Sequence, residues 1–192
     1  MQVRQLSKRA ETGVTPSIML YNPKTSINVG MVVRLASAFG VKQVWYTGGR
    51  VDAEIRARGR IAREERMKGY KNVDIINYDY PLEQFPKGST PVAIEVRENS
   101  EPLHTFEHPE NPIYVFGPED GSIPSPVLNR CHRFVVIPTR HCLNLATAVT
   151  AVMYDRMLKG YLSGSIDMTD FTTPGEYEGR GLIENDPLDV FA

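Results

Sequence analysis

Short runs of apolar, mostly β-branched residues recur along the chain. Between them, apolar positions return at intervals of three and four, the period of a helix with one buried face. The runs predict strands over residues 17–21, 43–47, 73–77, 91–96, 112–116 and 133–138. Several show no alternation of apolar and polar positions, as expected where helices cover both faces of a sheet. The longer periodic segments predict helices over 28–39, 52–68, 124–130 and 144–159. Strands alternating with helices predict an α/β fold with a mainly parallel sheet flanked by helices.

The helix pattern carries its own punctuation. Val32, Leu35, Ala36 and Phe39 form one stripe, and Gly40 is a natural stop. Leu145, Ala148, Val149 and Val152 form a second stripe, which Lys159-Gly160 is expected to close. Asn28 and Asn144 are each candidate N-caps.

Composition changes this picture little. The 192 residues suit one domain, with 41% hydrophobic and 23% charged residues. A net charge of −1 provides no global basic field, so a polyanion would have to be met by a local patch. The two cysteines, Cys131 and Cys142, have neither metal-knuckle nor CxxC spacing, and two reduced thiols are the default reading. The N-terminal stretch lacks the apolar segment of a secretory signal, and no run reaches the ~20 apolar residues of a membrane span. A soluble cytoplasmic protein without membrane association is expected. Three parts are expected: a basic arm over 1–16, a core domain over 17–160 and an acidic Gly- and Pro-bearing tail over 161–192.

Three segments place polar residues at the edges of apolar elements, where α/β proteins hold ligands. Arg34 lies opposite the stripe of its helix; it reads either as a solvated cation or as a fork of donors aimed at phosphate or a hydroxyl. Gly117-Pro-Glu-Asp-Gly121 follows a strand; it reads either as a turn or as a site where a ligand approaches the backbone beside Glu119. Ile137-Pro-Thr-Arg-His-Cys-Leu-Asn144 leads from a strand into a helix, whose first N–H groups favour polar or anionic ligands. Neither His141 nor Cys142 has metal-ligand spacing with another residue, so no metal site is expected. Residues 50–71 are basic on balance, which suits either an exposed helix with internal ion pairs or a surface that tracks phosphates. GxGxxG and GxxxxGK[ST] are absent, so dinucleotide and NTP sites of those types are unsupported.

Taken together, these segments resemble the SpoU (TrmH-like) branch of the SPOUT RNA methyltransferases. Asn28 with Arg34 six residues on matches the family's first motif. Phe116-Gly-Pro-Glu-Asp-Gly-Ser-Ile123 matches the second through Gly117 and Glu119, and Ile137-Pro138 with Cys142-Leu-Asn144 matches the third. The resemblance implies a C-terminal trefoil knot, an exception to the rule against knots. It implies S-adenosylmethionine held at Ile94, Glu95, Phe116, Gly117, Ile137, Cys142 and Leu143, and a homodimer in which an arginine of one subunit completes the other's site. The implied reaction is methyl transfer to a ribose 2′-hydroxyl, in tRNA first and rRNA second, with Arg34, Asn28, Glu119 and Asn144 as the catalytic set. Cys142 stands where the family has serine, and a thiol is a poorer hydrogen-bond partner than a hydroxyl. Two alternatives follow: a knotted RNA-binding module without catalysis, and a base methyltransferase on the same scaffold.

Overall fold

The computed structural model describes residues 4–5, 16–58, 73–77 and 85–167. Among these, the strands are β1 (Arg4–Gln5), β2 (Ser17–Leu20), β3 (Gln43–Tyr46), β4 (Asp74–Asn77), β5 (Thr90–Ile94), β6 (Glu101–Pro102), β7 (Pro112–Phe116) and β8 (Arg133–Val136). The helices are α1 (Ser26–Ala38), α2 (Asp52–Arg58), α3 (Ser125–Leu128) and α4 (Leu145–Leu162), with a 3-10 turn at Leu103–Thr105. The strands form one sheet in the order β1-β4-β3-β2-β7-β5-β8-β6, and every pairing is parallel.

The absence of alternation in the strand sequences has the expected cause. Every residue of β2 and β7 is buried. Ile18, Leu20, Tyr114 and Phe116 pack on one face with Val29, Val32 and Ala36 of α1 and Val149 and Val152 of α4. Met19, Ile113 and Val115 pack on the other face with Trp45, Ile123 and Val127. Each such aliphatic side chain contributes about 1.5–3 kcal/mol by leaving water.

The strand order reverses between β2 and β7. From β2 the chain builds outward through β3 and β4; from β7 the sheet continues through β5 and β8. The crevice at the carboxyl ends of strands flanking such a reversal is where open α/β sheets bind ligands. Here α1 begins just beyond β2, and the loop bearing Glu119 leaves β7.

The elements differ from expectation at their ends. α1 is capped by Thr25, whose hydroxyl accepts from the Asn28 backbone N–H (3.3 Å), so Asn28 lies inside the first turn and is not the cap. α4 runs past Lys159-Gly160 to Leu162; Gly160 is a packing position, since a Cβ there would collide with the Ile166 side chain. Arg4 and Gln5, in the expected basic arm, pair with Ile76 and Asn77. β6 and the 3-10 turn are additional. Of the helix expected over 52–68, the described part is Asp52–Arg58; the rest, most of the arm and the tail from residue 168 lie outside the described residues. No described helix is long and apolar enough to cross a membrane.

A polar network fastens the second half of α4. Lys159 Nζ donates to the carbonyls of Leu103 (2.6 Å) and Phe106 (3.0 Å) and pairs with Asp155 (2.6 Å). His108 joins Asp155 through Nε2 (2.8 Å) and the Tyr114 hydroxyl through Nδ1 (2.7 Å).

Candidate functional site

Three of the four predicted catalytic residues meet at the crevice. Asn28 Nδ2 donates to Glu119 Oε1 (2.5 Å), and Asn144 Nδ2 donates to Asn28 Oδ1 (3.2 Å). Asn144 Oδ1 in turn accepts from the Ala146 N–H (2.9 Å), so Asn144 is the N-cap that the sequence suggests. The orientation of this chain follows from its first member. A carboxylate can only accept, so Asn28 must present its NH₂ to Glu119 and its oxygen to Asn144. Asn144 must then donate to Asn28 and keep its oxygen for the helix N-terminus. Glu119 Oε2 accepts from the Lys24 backbone N–H (2.8 Å), joining the loop after β7 to the loop after β2.

Arg34 stands apart. It is exposed on α1 and has no hydrogen-bond partner among the described residues. Its face of the helix also presents Ile27 and Met31, at i−7 and i−3, which are 48% and 40% exposed. Within one chain, Arg34 is therefore not part of the Glu119–Asn28–Asn144 array.

The seven predicted cofactor residues line one cleft. Ile94 ends β5 and Glu95 follows it, Phe116 ends β7 and Gly117 follows it, and Ile137, Cys142 and Leu143 belong to the loop between β8 and α4. Gly117 also makes room for its own loop: a Cβ there would lie 3.2 Å from the Ile123 side chain and 3.3 Å from its backbone nitrogen. Glu95 uses both oxygens on backbone, accepting from Val96 N–H (3.2 Å) and Ile123 N–H (3.0 Å), and so ties the loops after β5 and β7 together. Val96, Pro118, Val136, Thr139, Leu145 and Ala148, which sequence reasoning did not assign to the cofactor, line it as well. Pro118 and Thr139 lie within the second and third motif segments, whereas the other four carry no motif and arrive there only through folding.

The cleft fits S-adenosylmethionine. Ile94, Phe116, Ile137 and Leu143 offer apolar walls for an adenine ring. Among the described residues no lysine or arginine lines it, whereas Glu95 and Glu119 do, which suits a cationic sulfonium.

Beyond the cleft, Arg50 grips Asp120 with both terminal nitrogens (2.8 and 2.7 Å), and Lys24 Nζ lies 3.7 Å from the same carboxylate. This hydrogen-bonded guanidinium lowers the Asp120 pKa to about 2. Arg50, counted by sequence within a basic surface, is thus paired across seventy residues of chain. Cys142 is exposed in the cleft; Cys131 is buried in the opposite core, where desolvation raises its pKa to about 11.

Comparison with known proteins places the chain in a family and agrees with the fold. The SpoU rRNA Methylase family model matches residues 16–154. The chain is 26% identical over 166 residues to the tRNA (cytidine-2′-O-)-methyltransferase TrmJ of Methanocaldococcus jannaschii, covering 79% of this chain and 71% of that protein. Its fold is that of the A. aeolicus TrmH/SpoU tRNA modifying enzyme (TM-score 0.64, 21% identity, 77% and 76% of the two chains). It also matches a structure solved to explain 2-OH methylation of C/U34 on tRNA (TM-score 0.60, 26% identity, 77% and 96% of the two chains).

Proposed function

The chain belongs to the SpoU rRNA methylase family, and from that membership and the site we propose that it methylates a ribose 2′-hydroxyl of tRNA. It is an S-adenosylmethionine-dependent RNA 2′-O-methyltransferase with the knotted fold of that family. The choice of tRNA rests on the two relatives whose described reactions are 2′-O- or 2-OH methylation of tRNA. One observation carries the assignment of the site: the Glu119–Asn28–Asn144 chain stands at the edge of a cleft lined by all seven expected cofactor residues.

When bound, S-adenosylmethionine supplies an electrophilic methyl sulfonium, which leaves the protein to orient the hydroxyl and ease loss of its proton. Ile94, Phe116, Gly117, Ile137, Cys142 and Leu143 would hold the cofactor, with Glu95 keeping the loops closed around it. Glu119, held by Asn28 and the Lys24 N–H, keeps an exposed carboxylate edge at the mouth of the cleft to accept a ribose hydroxyl. Arg34 lowers the pKa of the reacting hydroxyl through its positive charge.

Because Arg34 has no hydrogen-bond partner among the described residues, we assign it to the site of a second copy. The apolar stripe beside it, Ile27 and Met31, with Tyr154, Leu158 and Leu162 exposed on the neighbouring α4, suits a homodimer interface. Sedimentation should give a dimer. Mixing Arg34→Ala chains with Asn28→Ala chains should restore activity that neither has alone.

The direct test is transfer of labelled methyl from S-adenosylmethionine to unmodified tRNA and rRNA transcripts, with tRNA expected as the better substrate by kcat/KM. Calorimetry that shows no cofactor binding at millimolar concentration would instead support a non-catalytic RNA-binding module.

A further inference from the structure

Next to Glu119, outside the cleft, one carboxylate is held as a phosphate would be. The Asp120 oxygens face the two terminal nitrogens of Arg50 in a parallel fork, at 2.8 and 2.7 Å, and one of them also faces Lys24 Nζ at 3.7 Å. A guanidinium fork with an ammonium beside it is the arrangement that recognises phosphodiesters. All three side chains are open to solvent, with exposures of 55% for Lys24, 32% for Arg50 and 43% for Asp120. Ion pairs this exposed are worth little, so a phosphate can displace the carboxylate cheaply.

The loop does not depend on this contact for its place. Glu119 already anchors it through the Asn28 side chain and the Lys24 N–H. The position also fits the chemistry. In RNA the 2′-hydroxyl neighbours its own 3′-phosphate, and Asp120 directly follows the residue whose carboxylate faces the hydroxyl. In sequence, Arg50 opens the basic run that continues through Arg56, Arg58 and Arg60.

We propose that Lys24 and Arg50 form a binding site for a backbone phosphate of the RNA, and that Asp120 fills it as an intramolecular stand-in until RNA arrives. Asp120 is thus a competitor built into the loop, raising the RNA concentration needed to engage the site. This inference rests on the RNA-methylation reading above.

The test is fluorescence anisotropy of a labelled, unmodified tRNA transcript, titrated at several salt concentrations. Asp120→Asn, which keeps the shape and removes the charge, should tighten binding by about two- to fivefold, the range an exposed ion pair allows. It should also steepen the salt dependence. Arg50→Gln should weaken binding and lower the slope of log K against log salt by about 0.7–0.9, the share of one phosphate. Arg50→Gln combined with Asp120→Asn should show none of the gain. Asp120→Ala, free of any residual hydrogen bond to Arg50, should tighten binding as Asp120→Asn does. If both Asp120 variants bind tRNA no better than the wild type, the stand-in role is wrong and the pair only braces the loop. A wild-type protein that binds no RNA at any salt would overturn the broader reading as well, so the two failures are distinguishable.

Discussion

α4 is held at both ends by polar side chains, and the two clusters differ in what they leave unused. Toward its C-terminal end, Lys159 places its three N–H groups on two carbonyls and Asp155, while His108 uses both ring nitrogens on Asp155 and Tyr114. The trio of His, Asp and Tyr resembles catalytic machinery, but its donors are already occupied and the His108 side chain is 6% exposed. Burial pushes the His108 pKa down, with the Asp155 hydrogen bond opposing it. At the N-terminal end, Glu119 and Asn144 are exposed beside the cleft, and the Asn144 amide makes one donated bond among the described residues, to Asn28. At His108 a perturbed pKa thus accompanies a structural lock, and unused hydrogen-bonding capacity at the carboxyl edge of the sheet marks the site.

The largest effect should come from Arg34→Ala, which is expected to lower kcat by about 10²-fold or more. Cofactor affinity by calorimetry should stay the same, since Arg34 does not line the cleft. Glu119→Gln comes next. An amide must present its NH₂ to either Asn28 or the Lys24 N–H, and one of those donors loses its acceptor. Loss of a charge-assisted hydrogen bond worth roughly 1.5–3 kcal/mol should cut kcat/KM about ten- to a hundredfold.

His108→Ala should separate the two clusters. It should lower unfolding stability by about 1–3 kcal/mol, as buried partners lose their hydrogen bonds, while the folded enzyme keeps its kcat. The wild type should carry the matching pH signature. A histidine whose pKa falls on folding takes up its proton first in the unfolded chain. Its contribution is therefore present above the unfolded value near 6.5 and is lost as pH falls below it. Denaturant melts should show this slope in the wild type and a flatter one in His108→Ala. Cys142→Ser should have the smallest effect, about twofold or less in kcat/KM, because the exposed thiol makes no hydrogen bond among the described residues.

Most of the cleft was legible because Phe116, Gly117, Ile137, Cys142 and Leu143 sit in the second and third motifs at strand ends, and contiguous residues at a sheet edge stay together on folding; Ile94 and Glu95 lie in no motif and followed from the family resemblance alone. Asn28 shows where local reading stops. Thr25 and Asn28 both have capping chemistry, and Thr25 takes the role while Asn28 is drawn to Glu119, ninety-one residues away. The Arg50–Asp120 pair was equally invisible, since neither residue has a local pattern that names its partner. β6 has two residues and no apolar run; Glu101 is held there by a bidentate bond from Arg133 (2.8 and 2.9 Å). Lys159 was legible as a helix-terminal cation, but not as the anchor for two carbonyls in a distant loop.

The role proposed for this site is transfer of a methyl group to a ribose hydroxyl. Incubating the protein with S-adenosylmethionine and unmodified tRNA, digesting the RNA to nucleosides and analysing them by mass spectrometry tests it directly. The expected product is a new nucleoside whose added methyl stays with the ribose on fragmentation, absent with Arg34→Ala. A methyl that stays with the base, or no methylated nucleoside from any RNA offered, would contradict it.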